Sequence, residues 1–259
     1  MIHLGPYTFT NQDALRTMGN LGGLWASMME GRTSAGATAA GDALRARSAE
    51  ALGLEQNATL AEVGARGAHL PSRSPLLGPL LADVWQSLRD ASDALRADGQ
   101  MPERQAGIVT QLSRSGGGVP KLAVDAVDVD FGGVVGDIQR VRVHHGRPWQ
   151  ALCLFADEVI DQFRTEGHPI QRGSVGENIS VSGLDWALVR PGVRIRVGTV
   201  VGHVQAFAEP CRSNAQFFVG GDFQRMNIDR GPVSRVYATV LEPGRIATGD
   251  TIELEPDLA

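Results

Sequence analysis

From Ile108 onward the sequence breaks into short runs of β-branched and aromatic residues separated by glycine and proline turns, and this pattern most limits what the chain can fold into. The runs read GIVTQLS, VDAVDVDF, IQRVRVHH, ALCLF, NISVSG, RIRVGTVVGHVQAF, VSRVYATVL and DTIELEP. Seven or more short strands in a stretch of about 150 residues predict a closed or nearly closed β-barrel. One helix interrupts them, ADEVIDQFRTEG, with Val159, Ile160 and Phe163 on one face.

The first half is written differently. Leu76, Leu77, Leu80, Leu81, Val84, Leu88 and Leu95 recur at three- and four-residue spacing, with Ser74 as N-cap, Pro75 in the first turn and Gly99 past the end. Thr59 and Glu62 have capping-box spacing, the Ala-rich stretch from Thr38 to Leu52 favours helix, and NQDALRTMGNLGGLWASMM suits one more helix. Three or four packed helices followed by strands make an α+β chain. A helical accessory domain is expected over residues 1–104 and a β-barrel domain over 105–259, the change falling between Gly99 and Gly107.

With 42% hydrophobic and 20% charged residues, the chain is an ordinary globular one, long enough to bury a proper core. A net charge of -5 without a Lys/Arg cluster argues against a nucleic-acid polymer as partner. No run of about 18 apolar residues occurs, and MIHLGPYTF lacks the basic flank and apolar stretch of a signal peptide, so a cytoplasmic location with no membrane partner is expected. Two cysteines, Cys153 and Cys211, form neither a C-x-x-C pair nor a four-cysteine iron–sulfur site. The helical half holds only His3 and His69, too few for the three-histidine metal site of DinB-like bundles, and no metal is expected there. Packing against the barrel, dimerising and contacting an electron donor are the roles open to it.

Candidate chemistry gathers in the glycine-rich second half. Lys121 in GGGVPK is the only lysine among 24 positively charged side chains. Its compact charge suits a crowded turn better than the broad fork of arginine. Gly136-Asp137, His144-His145-Gly146, Gly176-Glu177-Asn178 and Pro210-Cys211-Arg212 place further polar groups beside glycine or proline. Each alone reads as a turn more often than as a site. Cys153, flanked by apolar residues, reads as core packing, and Cys211 taken alone reads first as a small buried residue.

Taken in order, GGVPK, GVVGDIQ, HHGRPWQALCLF, GSVGENISVSGLDW, EPCRSN and LEPGRIATGDTIEL resemble the MOSC domains, which are related to the C-terminal domain of molybdenum cofactor sulfurases. The resemblance covers about residues 109–254 and is nearest to the bacterial YiiM type, which reduces N-hydroxylated purines and related compounds. It implies a molybdenum cofactor (molybdopterin) site with Cys211 as metal ligand and catalytic residue, a soft thiolate being suited to molybdenum. It further implies Lys121, Asp137, His145, Glu177, Asn178 and Arg212 as cofactor-binding residues, with His145 or a water the catalytic proton donor; structural hydrogen bonding is an equal reading of His145. Asp137 and Glu177 are also consistent with turn stabilisation or an arginine pair. Arg147 stands where the family more often has glycine, and Gly192-Val193 where an acidic residue often follows glycine, which bears on substrate choice.

The resemblance implies a molybdenum-dependent oxidoreductase acting on small N-oxygenated substrates (hydroxylaminopurines, hydroxylamines, amidoximes) with a detoxifying role. Lacking a nucleotide-binding fingerprint and cluster cysteines, the chain would draw electrons from an external flavoprotein or iron–sulfur donor. Pyridoxal phosphate is not expected, and a homodimer is one expected assembly. Two alternatives stand beside this reading: a persulfide sulfur carrier using Cys211, and a non-catalytic module that binds or delivers the cofactor.

Overall fold

The computed structural model describes residues 1–139 and 146–257 and divides into two compact units, Met1–Met101 and Pro102–Ala259. The first opens with an antiparallel hairpin absent from the sequence reading, β1 (Ile2–Leu4) and β2 (Tyr7–Phe9), turned at Gly5 with φ +58. Three-residue strands carry too little pattern to be recognised. Tyr7 and Phe9 are held by Trp85, at ring separations of 5.0 and 5.4 Å.

Five helices follow: α1 (Asn11–Gly19), α2 (Leu21–Met29), α3 (Ala35–Leu52), α4 (Leu60–Ala68) and α5 (Leu77–Ala97). The single helix expected over the stretch from Asn11 is two, parted at Asn20, where Gly19, Gly22 and Gly23 weaken helix propensity. Gly22 also approaches the backbone of Ala61, a Cβ there lying 3.2 Å from its Cα. The capping box at Thr59 is present: its hydroxyl accepts from the Glu62 N–H, and the Glu62 carboxylate accepts from the Thr59 N–H. Helix α5 starts at Leu77 rather than Pro75, since the Ser74 carbonyl and hydroxyl accept from Leu77 and Leu76 in the preceding turn. Its buried Leu80, Leu81, Val84, Leu88 and Leu95 form the helical face that the spacing predicts.

The second unit contains β3 (Gln105–Arg114), β4 (Leu122–Val124), β5 (Ala126–Asp130), β6 (Gly133–Val134), β7 (Leu152–Ala156), α6 (Asp157–Thr165), β8 (Ile179–Ser182), β9 (Arg194–Val197), β10 (Val200–Phe207), β11 (Val236–Glu242), β12 (Gly244–Ala247) and β13 (Thr251–Leu254). Among the described residues, seven strands close in the order β13-β9-β10-β11-β7-β8-β3, with β3 pairing back onto β13. The chain is thus α+β, a closed barrel preceded by a helical part. β4 extends the sheet beyond β3, and β12, β5 and β6 make a separate small sheet. β7 and β8 are parallel, so the chain must cross over between them, and α6 makes that crossover. Of the IQRVRVHH run, Ile138 and Gln139 lie outside any strand; residues 140–145 fall outside the described residues.

Strand pleating sorts the side chains. Paired residues Val109/Val181, Leu154/Ile179, Val236/Leu154, Val204/Ala238 and Ile252/Val197 share one face and are fully buried. Pairs Tyr237/Cys153, His203/Thr239, Phe155/Ser180 and Ser180/Gln111 occupy the other. The wholly apolar set fills the barrel, which leaves the mixed polar set outside it, under the loops. No helix among the described residues is long and apolar enough to cross a membrane.

Candidate functional site

Of the sequence-predicted residues, Lys121, Asp137, Glu177, Asn178 and Cys211 lie on connected loops after β3, after β6, before β8 and after β10. Asp137 is the first centre. Its Oδ1 accepts from the Ser115 N–H at 2.8 Å, and its Oδ2 accepts from Lys121 Nζ at 2.5 Å and from Asn178 Nδ2 at 3.1 Å. Asn178 also donates to the Ser113 carbonyl at 3.2 Å, and the Asp137 and Lys121 side chains are only 3% and 9% exposed. Three residues expected as separate contacts therefore form one internally paired network.

Glu177 lies beside it, wholly buried. Its Oε1 accepts from the Gly173 N–H at 2.5 Å and closes the turn ahead of β8, while Oε2 has no protein partner. Gly173 is obligatory at this turn: φ is +82, and a Cβ would lie 2.4 Å from the Lys121 carbonyl oxygen, which would displace the backbone bearing Lys121. Burial pushes the Glu177 carboxyl above its ordinary range, against the opposing hydrogen bonds from its own and the Gly173 N–H and the charges of Arg235 and Lys121.

Cys153 carries the network onward. Its carbonyl accepts from the Asn178 N–H at 2.8 Å, and its thiol lies against the guanidinium of Arg235. The thiol is buried, as core packing requires, but its neighbour is a cation rather than an apolar side chain, because it points to the outer face of β7. Burial raises its pKa, with Arg235 and Lys121 opposing.

Arg235, 4% exposed, is a site residue that the sequence reading missed. Burial works against its charge, but its interactions with Cys153, Tyr237 and Glu177 more than offset this and hold its pKa above the ordinary arginine value. One terminal nitrogen donates to the Val175 carbonyl and the other to the Glu209 carbonyl at 3.4 Å, while Nε has no protein partner. In a chain whose cations are almost all arginine, nothing in the sequence marks this one.

Cys211 completes the set, half-buried at the start of the 3-10 turn Arg212–Phe217. Its Sγ is 3.1 Å from Ser213 Oγ, and its N–H donates to Asn214 Oδ1 at 3.1 Å. The Asn214 amide in turn donates to the Val175 carbonyl at 3.2 Å. Arg212 is exposed. Arg147 is buried, donating to Gln150 Oε1 at 3.0 Å and stacked 5.1 Å from the Trp149 ring, so it belongs to the packed wall. Val193 is fully buried. His145, with His144, lies outside the described residues.

Chemically, the site offers a soft, partly accessible thiol, a buried cation and a carboxyl with one oxygen unpartnered. Gly116 and Gly118 stand in open space nearby in the chain, where an added Cβ would meet nothing within 4 Å. Orphaned buried polar atoms and a soft donor of this kind suit a polar group bearing a thiophilic metal better than they suit an apolar ligand.

Residues 141–253 match the model of the MOSC domain. The uncharacterized protein YflK of Bacillus subtilis (strain 168) is 30% identical over 122 residues, 46% of this chain and 54% of that relative. The chain thus spans about half the length of this curated relative. Among solved structures, the YuaD protein of Bacillus subtilis is 19% identical, covering 59% of this chain and 97% of that one, with a TM-score of 0.49. YiiM from Escherichia coli is 21% identical, covering 61% and 72%, at a TM-score of 0.44. YiiM from Geobacillus stearothermophilus is 22% identical, covering 59% and 76%, at 0.46.

Proposed function

Since residues 141–253 of this chain match the model of the MOSC domain, we propose that the barrel binds the molybdenum cofactor at the outer-face site and reduces small N-hydroxylated compounds. The observation that carries the reading is Cys211, a half-buried thiol in a loop braced on buried Arg235 and Asn214. A thiol so held can present sulfur to a metal, whereas a wholly enclosed one such as Cys153 cannot.

When bound, the cofactor supplies the two electrons and the oxygen-accepting centre that N–O cleavage needs. The chain's residues do the rest. Cys211 would hold the metal through Sγ, and Arg212 would give the rim a positive charge. Lys121, Asp137 and Asn178 shape the polar wall, with Asp137 neutralising Lys121 so that the wall presents hydrogen-bonding groups rather than a bare cation. Reduction of R–NHOH to R–NH2 and water consumes two electrons and two protons; His145 or a water delivers the protons, and an external flavoprotein or iron–sulfur protein the electrons.

The test is molybdenum content by mass spectrometry in protein purified from a cofactor-producing host. Near-stoichiometric metal in the wild type and at least tenfold less in Cys211→Ala is the expected outcome, a loss of about 1.4 kcal/mol or more in binding. Reduction of hydroxylaminopurine with an added reductase then tests the substrate class. Wild-type protein that stays metal-free after cofactor loading would overturn the reading and favour sulfur transfer through Cys211.

A further inference from the structure

Two loops of the site, one carrying Val175 and the other Glu209 and Cys211, are bridged by buried side chains. We infer that Arg235 is the positioning residue for Cys211: its guanidinium fork spans the Val175 carbonyl on one loop and the Glu209 carbonyl on the other, fixing where the thiol stands. The inference rests on the proposed function only in taking Cys211 as the working thiol.

Burying a cation costs several kcal/mol unless its donors are matched, so a residue that only filled space here would be apolar. The two terminal nitrogens of Arg235 are instead matched to main-chain oxygens in different loops. The backbone ties point the same way: the Ala208 N–H donates to the Arg235 carbonyl at 2.8 Å, and Ser234 Oγ donates to the Ala208 carbonyl at 3.2 Å. The loop leaving β10 is therefore fastened to residues 234 and 235 before it reaches Cys211.

Asn214 supplies the second half of the device. Buried at 1% exposure, it accepts from the Cys211 N–H through Oδ1 and donates through Nδ2 to the same Val175 carbonyl that Arg235 engages. A carbonyl oxygen has two lone pairs, and here both are used. Val175 thus becomes the shared anchor of Arg235 and Asn214, and the segment that leads into Glu177 and Asn178 sets the position of Cys211. Lysine in place of arginine keeps the charge but has no fork to span divergent acceptors.

The test uses the full chain, made in a host unable to synthesise the cofactor so that Cys211 is free. Alkylation by iodoacetamide is followed at a pH where the rate has levelled off, with Cys211 and Cys153 read separately by peptide mass spectrometry. Arg235→Lys is expected to speed Cys211 modification about fivefold, the consequence of one ordinary hydrogen bond lost. Asn214→Ala should act similarly, and the double variant should fall short of the product of the two, since both donors share one acceptor. Cys153 should stay unmodified throughout. An unchanged Cys211 rate in Arg235→Lys would show that charge alone suffices and overturn the inference. So would modification of Cys153 alongside Cys211, which marks general loosening, or a fully multiplicative double variant. If Arg235→Lys does not fold, an unchanged rate in Asn214→Ala overturns it equally. The molybdenum content of the wild type judges the proposed function separately, because none of these rates depends on metal.

Discussion

Lys121 shows why a single residue type was kept at one position of an arginine-rich chain. Asp137 Oδ1 is committed to the Ser115 N–H and Oδ2 is shared between Lys121 and Asn178, so a bidentate fork would find no free pair of oxygens, whereas a point donor fits. Lys121→Ala leaves a carboxylate that is 3% exposed without its counter-charge and should cost about 3 kcal/mol in urea unfolding. Lys121→Arg should also destabilise. Glu177 gives a prediction with the opposite electrostatic sign. Its folded pKa is raised by burial, so above the unfolded carboxylate range the native state holds more protons than the unfolded state, and stability falls as pH rises. Glu177→Gln keeps an acceptor for the Gly173 N–H and removes the titration. Its stability should match the wild type at acid pH, exceed it at neutral pH and vary less between, as measured by unfolding across pH 4 to 8.

Among the elements, helix ends and crossovers follow local chemistry where a side chain is free to cap and tertiary contacts where it is not. The Thr59 box is local: Thr59→Ala withdraws the acceptor for the Glu62 N–H and should cost about 1 kcal/mol by thermal unfolding. The break at Asn20 is tertiary in part, because Gly22 packs on Ala61 and Gly41 of α3 faces the Trp25 ring, with a would-be Cβ at 2.4 Å from Cζ2. Gly41 therefore makes room for Trp25, a reason for glycine in mid-helix that periodicity does not contain. In the barrel, α6 is amphipathic enough to be read directly, and Val159, Ile160 and Phe163 are buried as its spacing predicts.

For the whole molecule, the barrel's hydrogen bonding closes within Pro102–Ala259, β13 returning to β3. A fragment of residues 102–259 should therefore unfold in a single cooperative transition and keep the β-rich circular dichroism of the intact chain's second unit. A gradual transition would show that closure needs residues from outside it. The sequence alone determined the strand-rich character of this half, its crossover helix and the α+β class, because period, turn residues and caps are local properties and survive without a partner. It also pointed to Cys211, Asp137 and Asn178 through a recognisable order of motifs. Only the tertiary structure decided how they are used. Lys121 and Asn178 lie 16 and 41 positions from Asp137, and the pairing that joins them exists only once β3 and β8 are side by side. The role of Arg235 was illegible for the same reason: an arginine carries no local mark of being buried, and what singles it out is two carbonyls brought within reach by the closing of the barrel.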